Sequence, residues 1–276
     1  MVSIKVDLSR ELIHEIDKIA RVKGIKDRSR VVEELLTKIL IGNMVKRAVI
    51  LAGGKGTRMR PFTYEIPKPL IPVQGKPLLQ HIIELLRKYE IRDIIISTGY
   101  LGSKIVEYFG NGNKFGVRIE YVEEDKELGT AGPLNLMRDK LKSTFLMFNG
   151  DVLANIDIHD LIRFHHEHNA LATIALTPVK DPSRFGVARL RGNKILEFIE
   201  KPEKTTKSKL INAGVYVLEP EVIDYVPEGK AMIEHDVFPK LAAEGKLYGY
   251  PFDGQWFDTG TPEAYERAIK EWRGVE

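Results

Sequence analysis

A short apolar run, Arg47-Ala48-Val49-Ile50-Leu51-Ala52, empties directly into Gly53-Gly54-Lys55-Gly56-Thr57-Arg58. Unbroken aliphatic runs of this length suit a strand buried on both faces of a parallel sheet. Three glycines within four positions then permit positive φ and let backbone N–H groups approach an anion with no Cβ in the way. Thr57 adds a hydroxyl donor and Arg58 a guanidinium fork. Lys68, held between Pro67 and Pro69, adds a mobile point charge. Together these groups form a grip for the phosphates of a nucleoside triphosphate. Ala52, Gly53, Gly54, Gly56 and Thr57 are candidate nucleotide-binding residues, and Arg58 and Lys68 candidate catalytic ones. The alternative is a tight strand-to-helix turn without a ligand. Two better-known templates are absent, since no Lys-Ser/Thr pair closes the loop as in a P-loop and no GxGxxG spacing is present.

From residue 45 onward, helical and strand patterns alternate. Helix is expected over residues 76–90, strand over 93–98, helix over 101–109, strand over 117–122, helix over 131–141 and strand over 145–148. The alternation predicts an α/β domain, Rossmann-like, with a mainly parallel sheet flanked by helices and a site beyond the strands' carboxyl ends. After residue 181 the pattern loosens into β segments at 186–190, 194–199 and 211–218, followed by a closing helix over 262–272.

A triphosphate must have its charge neutralised before an anionic nucleophile can attack it, and carboxylates are the natural ligands of the Mg²⁺ that does so. Asp151 follows the apolar run Phe145-Leu146-Met147-Phe148, and Asp258 follows Trp256-Phe257. Both are candidate metal ligands, although an aspartate after Asn-Gly also serves as a turn or cap residue. His165, His166 and His168 fall within one expected helix without an evident partner ligand, so a solvated helix face is expected there rather than zinc. The chain has no cysteine, which removes disulfides, thiolate nucleophiles and cysteine zinc sites. No apolar run is long enough to span a bilayer and no amino-terminal signal pattern is visible, so a cytoplasmic chain without membrane contact is expected. The net charge of +3 is too small to argue for nucleic acid by itself.

Six motifs in order carry a resemblance: GGKGTRMRPFTYEIPKPL at 53–70, ELGTAGPL at 127–134, NGD at 149–151, FIEKP at 198–202, INAGVYV at 211–217 and WFDTGTP at 256–262. The chain resembles the sugar-1-phosphate nucleotidyltransferases, or NDP-sugar pyrophosphorylases. The resemblance implies that an NTP and a hexose-1-phosphate condense to an NDP-sugar and pyrophosphate with Mg²⁺. It implies that Asp151 and Asp258 hold the metal on the phosphates, and that Lys201 holds the sugar phosphate as a further catalytic residue. Gly186, Glu200, Asn212 and Gly214 would bind the sugar, and Gly129 and Thr130 the nucleotide. The bland alternatives are an exposed Glu-Lys pair for Glu200 and Lys201, a bulged strand for Asn212 and Gly214, and a plain helix start for Gly129 and Thr130. If the strand continued, alternation would send Glu200 and Lys201 to opposite faces, but Pro202 ends regular pairing. Phe62 stands where a leucine is common. Phe185 stands where a tyrosine is usual, so that hydroxyl is missing. The segments ELGTAGPL and IEHDVFP, at 233–239, are more similar to mannose-1-phosphate guanylyltransferases than to bacterial glucose-1-phosphate thymidylyltransferases. A thymidylyl- or uridylyltransferase is the runner-up. Because the chain closes on a helix, the left-handed β-helix of some relatives is not expected.

Residues 1–43 carry a separate pattern, which divides the chain into expected domains at 1–43 and 44–276. Ile4, Val6 and Leu8 alternate with Ser3, Lys5 and Asp7. Ser9 can cap a helix striped by Leu12, Ile13, Ile16, Ile19 and Ala20, with Gly24 ending it. Asp27 can cap a second helix bearing Val31, Val32, Leu35, Leu36 and Ile39. One strand and two helices cannot bury this surface alone, whereas two chains paired strand to strand can. The arrangement, and the run GIKDRSRVVEELL at 24–36, resemble a small ribbon-helix-helix domain. That resemblance implies a homodimer or higher oligomer through residues 1–43. DNA could then be met by Ser3, Lys5 and Asp7, with Arg28, Ser29 and Arg30 near its backbone. Nine basic against seven acidic residues leave this segment a charge of only +2, so dimerisation is the firmer expectation. A second class of function follows from it, a transcription regulator whose larger domain senses a nucleotide sugar.

Overall fold

The computed structural model describes residues 5–40, 45–202 and 208–275. The chain divides into two units, Met1–Met44 and Val45–Glu276. In the first, α1 (Arg10–Lys23) begins where Ser9 Oγ accepts from the Leu12 N–H at 3.2 Å, and ends at Gly24 with φ 67°. α2 (Arg28–Leu40) begins beside Asp27, whose Oδ1 accepts from the Ser29 N–H at 2.9 Å. Arg28 forks onto Asp17 with bonds of 2.6 and 2.7 Å, and Lys23 meets Glu34 at 2.8 Å, so charge pairs tie the two helices together. Arg28, which the resemblance places near a DNA backbone, is thus paired within its own unit. Ser3 and the start of the expected ribbon lie outside the described residues, and residues 5–9 form neither helix nor strand.

The second unit has strands β1 (Arg47–Ala52), β2 (Pro72–Val73), β3 (Lys76–Pro77), β4 (Asp93–Thr98), β5 (Arg118–Glu123), β6 (Phe145–Asn149), β7 (Val152–Ala154), β8 (Ala172–Pro178), β9 (Gly186–Arg191), β10 (Lys194–Glu200), β11 (Leu210–Leu218), β12 (Leu247–Pro251) and β13 (Trp256–Asp258). Its helices are α3 (Leu78–Lys88), α4 (Gly102–Phe109), α5 (Gly132–Leu136), α6 (Ile158–Glu167), α7 (Phe238–Ala243) and α8 (Pro262–Glu271). Nine strands form one sheet in the order β5-β4-β1-β6-β11-β8-β12-β10-β9.

The sheet is mixed rather than mainly parallel. β5, β4, β1 and β6 run parallel, as helical crossovers between them require. Beyond β6 the pairings are antiparallel except for β12 on β8. The short turn between β9 and β10 leaves no room for a crossover helix and imposes a hairpin. β8 and β12, which the sequence reading did not anticipate, lie in this mixed half. The helix expected over 131–141 stops at Leu136, after which the chain tightens into bonds such as Lys140 N–H to Met137 O at 2.8 Å.

Val49, Phe145, Met147, Ile174 and Tyr216 share one large core, which fixes the central strands. A second, smaller core positions the site. It joins Met59, Ile71, Val73, Leu78, Leu153, Phe257, Ala268 and Trp272, so the chain beside Arg58, beside Asp151 and beside Asp258 is anchored in one apolar cluster. Buried His81 closes it: its Nε2 donates to the Val73 carbonyl at 2.9 Å while Nδ1 accepts from the Trp272 indole at 3.2 Å. This pairing fixes the neutral tautomer, and burial accordingly pushes the His81 value down.

Candidate active site

The carboxyl ends of β1 and β6 and the loop after β5 open into a cleft of about 340 Å³. Ala52, Gly53, Gly54, Gly56, Thr57, Arg58, Lys68, Gly129, Thr130 and Asp151, all singled out in the sequence, line it. After β1 the chain turns at Gly56, whose φ of 60° suits glycine, and enters a short 3₁₀ turn, Thr57–Met59. A Cβ at Gly56 would lie 2.9 Å from Thr63 Cγ2 and 3.2 Å from Lys68 Cβ. The bare glycine thus lets the Lys68 segment close onto the loop. Thr63 secures that closure by donating to the Gly56 carbonyl at 2.8 Å.

Lys68 is 7% exposed and its ammonium sits 2.6 Å from Asp151 Oδ2. Asp151 and Asp258 are brought together by the antiparallel pair β7–β13, in which Asp258 stands opposite Val152. Thr259, fully buried, donates through both N–H (3.2 Å) and Oγ1 (2.8 Å) to the Asp151 carbonyl. Asp258 Oδ1 accepts from the Gly260 N–H at 2.8 Å. A Cβ at Gly260 would lie 2.9 Å from Arg58 Nη2 and 2.8 Å from Asp258 Oδ1, so Arg58 and Asp258 flank this residue.

The charges respond to this crowding. Burial alone would raise the Asp151 carboxyl, but Lys68 and then Arg58 outweigh it and hold the group below its ordinary value. Asp258 goes the other way. Burial and the neighbouring negative charge of Asp151 raise it, against partial relief from Lys68, Arg58 and the Gly260 N–H. An acid raised by the charge of its neighbour calls for a further cation. Among the described residues no group of three or more His, Cys, Asp or Glu is placed to hold a metal. Two hard carboxylates instead fit an ion such as Mg²⁺, which takes its remaining ligands from water and phosphate.

The expected sugar residues are not among those lining this cleft. They gather on neighbouring strands, where Gly186 pairs with Glu200, and Asn212 and Gly214 sit at a bulge in β11. Asn212 donates to the Tyr216 hydroxyl at 2.9 Å and accepts from the Gly214 N–H at 2.9 Å. Asn149, which does line the cleft, lies 3.0 Å from where a Gly214 Cβ would stand, so the two regions meet at that seam. Lys201 adopts φ 45° just past β10, and its ammonium returns to within 3.3 Å of Glu200 Oε1. The pair therefore shares a side. Phe185 packs edge-on against Trp256 at 5.6 Å.

Several site residues had no periodic signal. Glu124, buried just after β5, takes the Ser97 hydroxyl on Oε1 (2.7 Å) and the Leu128 N–H on Oε2 (3.0 Å) while lining the cleft. Its position directly after a strand, five residues before the Gly129-Thr130 turn, is the one cue the sequence offers. Gly260, Asn149 and Met232 also line the cleft. The histidines correct another expectation: His165 is 1% exposed and bonded to Thr173 (2.8 Å) and Glu219 (3.0 Å), not solvated.

A profile of the nucleotidyl transferase family matches residues 47–273. Mannose-1-phosphate guanylyltransferase of Mycobacterium tuberculosis (strain ATCC 25618 / H37Rv) is 41% identical over 234 residues, covering 83% of this chain and 65% of that protein. Mannose-1-phosphate guanyltransferase beta-A of Xenopus laevis is 37% identical over 225 residues, covering 79% and 62%. The chain thus spans just under two thirds of the length of these curated relatives. Among solved structures, a provisionally named glucose-1-phosphate thymidylyltransferase from Bacillus anthracis, in complex with a sucrose, superposes with a TM-score of 0.77. It is 32% identical, with 83% of this chain and 96% of that chain covered.

Removing the Lys68 charge should expose the acid pair. Lys68→Met is expected to destabilise the protein by about 2 kcal/mol, below the range for a fully buried pair because Asp151 retains partial solvent contact. Asp151→Asn in the Lys68→Met background should recover part of that loss in chemical unfolding. An unfolding free energy that Asp151→Asn lowers equally in both backgrounds would contradict the pairing.

Proposed function

The chain belongs to the nucleotidyl transferase family, and from that premise we propose that it is a sugar-1-phosphate nucleotidyltransferase, acting as a mannose-1-phosphate guanylyltransferase. The observation that carries the reading is the convergence of Lys68, Asp151, Asp258 and Arg58 on the glycine loop. A protein that only sensed a nucleotide sugar would have no need of two mutually repelling acids beside a phosphate grip. Guanine is supported by the named relatives and by Glu124. A carboxylate accepting at the ring N–H suits a base with a second donor beside it, and the Watson–Crick edge of guanine offers two neighbouring donors, whereas uracil and thymine offer one donor between acceptors.

In the reaction, an oxygen of the sugar phosphate attacks the α-phosphorus of the NTP, a new P–O bond forms, and the bond to the β-phosphate bridging oxygen breaks to release pyrophosphate. No proton transfer or covalent enzyme intermediate is required. Backbone amides of Gly53, Gly54 and Gly56, with Thr57, hold the phosphates. Arg58 stabilises the departing pyrophosphate, while Lys68 keeps Asp151 ionised and adds positive charge to the floor of the cleft. Gly129 and Thr130 contact the nucleoside. Lys201 receives the sugar phosphate, and Glu200, Asn212, Gly186 and Gly214 receive the sugar across the seam at Asn149. Asp151 and Asp258 would hold Mg²⁺, which supplies charge neutralisation on the phosphates when bound. Positioning of two anions supplies most of the acceleration. A cytoplasmic setting belongs to the same proposal because nucleoside triphosphates are supplied there.

Pyrophosphate release, measured with GTP, UTP and dTTP against mannose- and glucose-1-phosphate, should be fastest with GTP and mannose-1-phosphate. Arg58→Ala and Asp151→Asn should each lower kcat/KM by about 100-fold or more. Full turnover by both variants would remove the mechanism, and preference for dTTP or UTP would move the assignment to the runner-up.

The first unit, on this proposal, is a ribbon-helix-helix dimeriser. Support comes from its two capped helices and from Val6, Leu12 and Leu36, which are 65%, 49% and 50% exposed in the single chain. DNA is the weaker part of the proposal because Arg28 is already paired with Asp17. Sedimentation should give a dimer or larger assembly that Leu12→Glu with Leu36→Glu dissociates. A monomeric parent would refute it, and gel shifts no tighter than nonspecific binding across a salt series would exclude the DNA role.

A further inference from the structure

Glu234 is 7% exposed, stands outside the metal and phosphate groups described above, and forms no ion pair with a lysine or arginine among the described residues. It lies in a π-helical turn, Ile233–Val237, packed under the Gly129-Thr130 loop. That loop is clamped from this side. The Ala131 N–H donates to the Ala231 carbonyl at 2.9 Å, and the Ala231 N–H returns to the Leu128 carbonyl at 2.9 Å. Gly129, at φ 78°, passes so close that a Cβ would stand 2.4 Å from the Ala231 carbonyl.

With Glu234 ionised the hydrogen bonds at Thr130 run in one direction, although burial raises this carboxyl above its ordinary value. Its Oγ accepts the Ile233 N–H at 2.9 Å and donates its own hydrogen to Glu234 Oε2 at 2.5 Å. A hydroxyl has one hydrogen and two lone pairs. With the hydrogen given to Glu234 and one lone pair filled by Ile233, a single acceptor position is left. Thr130 lines the cleft, as does the acceptor Glu124.

We infer that Glu234 is a specificity-determining positioning residue, which by drawing the Thr130 hydroxyl hydrogen away leaves Thr130 as an acceptor matched to the exocyclic amine of a guanine base. The inference rests on the guanylyltransferase reading and deepens it. Glu124 would meet the ring N–H, a donor common to guanine and hypoxanthine, and Thr130 the amine, which hypoxanthine lacks. Without Glu234, the Thr130 hydroxyl hydrogen is free to turn into the cleft and oppose that amine.

The test compares GTP with ITP, which differs only by that amine. The parent enzyme should favour GTP in kcat/KM by on the order of tenfold. Glu234→Met should cut this preference about fivefold or more through a rise in KM for GTP, while Glu234→Gln, which keeps an accepting oxygen, should retain most of it. Thr130→Val supplies an independent route should Glu234→Met fold poorly: it removes the hydroxyl itself and should lower the preference equally, with no additional loss in the double variant. An unchanged GTP-to-ITP ratio in Glu234→Met or Thr130→Val overturns the role of Glu234 while leaving the guanylyltransferase reading intact. A parent that turns over UTP or dTTP but not GTP overturns both.

Discussion

Two carboxylates forced toward one another by a three-residue ladder are the constraint on which the rest of this site depends. β7 and β13 pair only over Val152–Ala154 and Trp256–Asp258, yet they place Asp258 beside Asp151 from a chain position more than 100 residues away. Left alone, such a pair would protonate or push apart. Lys68 and Arg58 prevent this by neutralising Asp151, and the raised Asp258 marks where compensation is incomplete. The small core, with Met59 next to Arg58, Phe257 next to Asp258 and Leu153 two residues from Asp151, supplies the packing that keeps like charges in place. On the proposed function, a metal ion and the substrate phosphates would complete this balance.

The mixed sheet divides labour along the same logic. Its parallel half ends in the glycine-bearing loops that line the cleft, beyond the strands' carboxyl ends, the usual setting for phosphate. Its antiparallel half presents side chains across adjacent strands, so Gly186 and Glu200 come face to face and the β11 bulge carries Asn212 and Gly214. Tyr216 joins the halves: its buried hydroxyl takes a bond from Asn212 and a long one of 3.5 Å from Asn149 at the edge of the cleft. Burial, with the charge of Glu234 next, raises this phenol well above its ordinary value, so it stays a neutral hydroxyl.

What could be read from the sequence was what is encoded locally. The strand before Gly53, the glycine loop, the Ser9 cap and the Gly24 stop each depend on a few consecutive residues, and their structures match the reading. Asp151 and Asp258 were visible as acids following apolar runs, but their meeting depends on the β7–β13 ladder, which no local pattern announces. The mixed pairing beyond β6 was hidden for the same reason: β8 is buried along nearly its whole length, and an apolar run of that kind does not say whether its neighbours run parallel or antiparallel. Glu124 has no pattern of its own and Glu234 shows only as part of IEHDVFP, because a buried glutamate is identified by partners such as Ser97 and Thr130, which are distant in sequence. The burial of His165 is hidden likewise, since only the fold brings Thr173 and Glu219 to it.

The central claim is that the acid pair is a cation site completed by substrate phosphates. Crystals grown with Mn²⁺ and a non-hydrolysable GTP analogue would test it through the anomalous signal of the metal. The account predicts one strong peak in contact with the carboxylates of both Asp151 and Asp258 and with phosphate oxygens held above the glycine loop. A metal bound elsewhere, or phosphates seated in the cleft with no metal touching either aspartate, would contradict it.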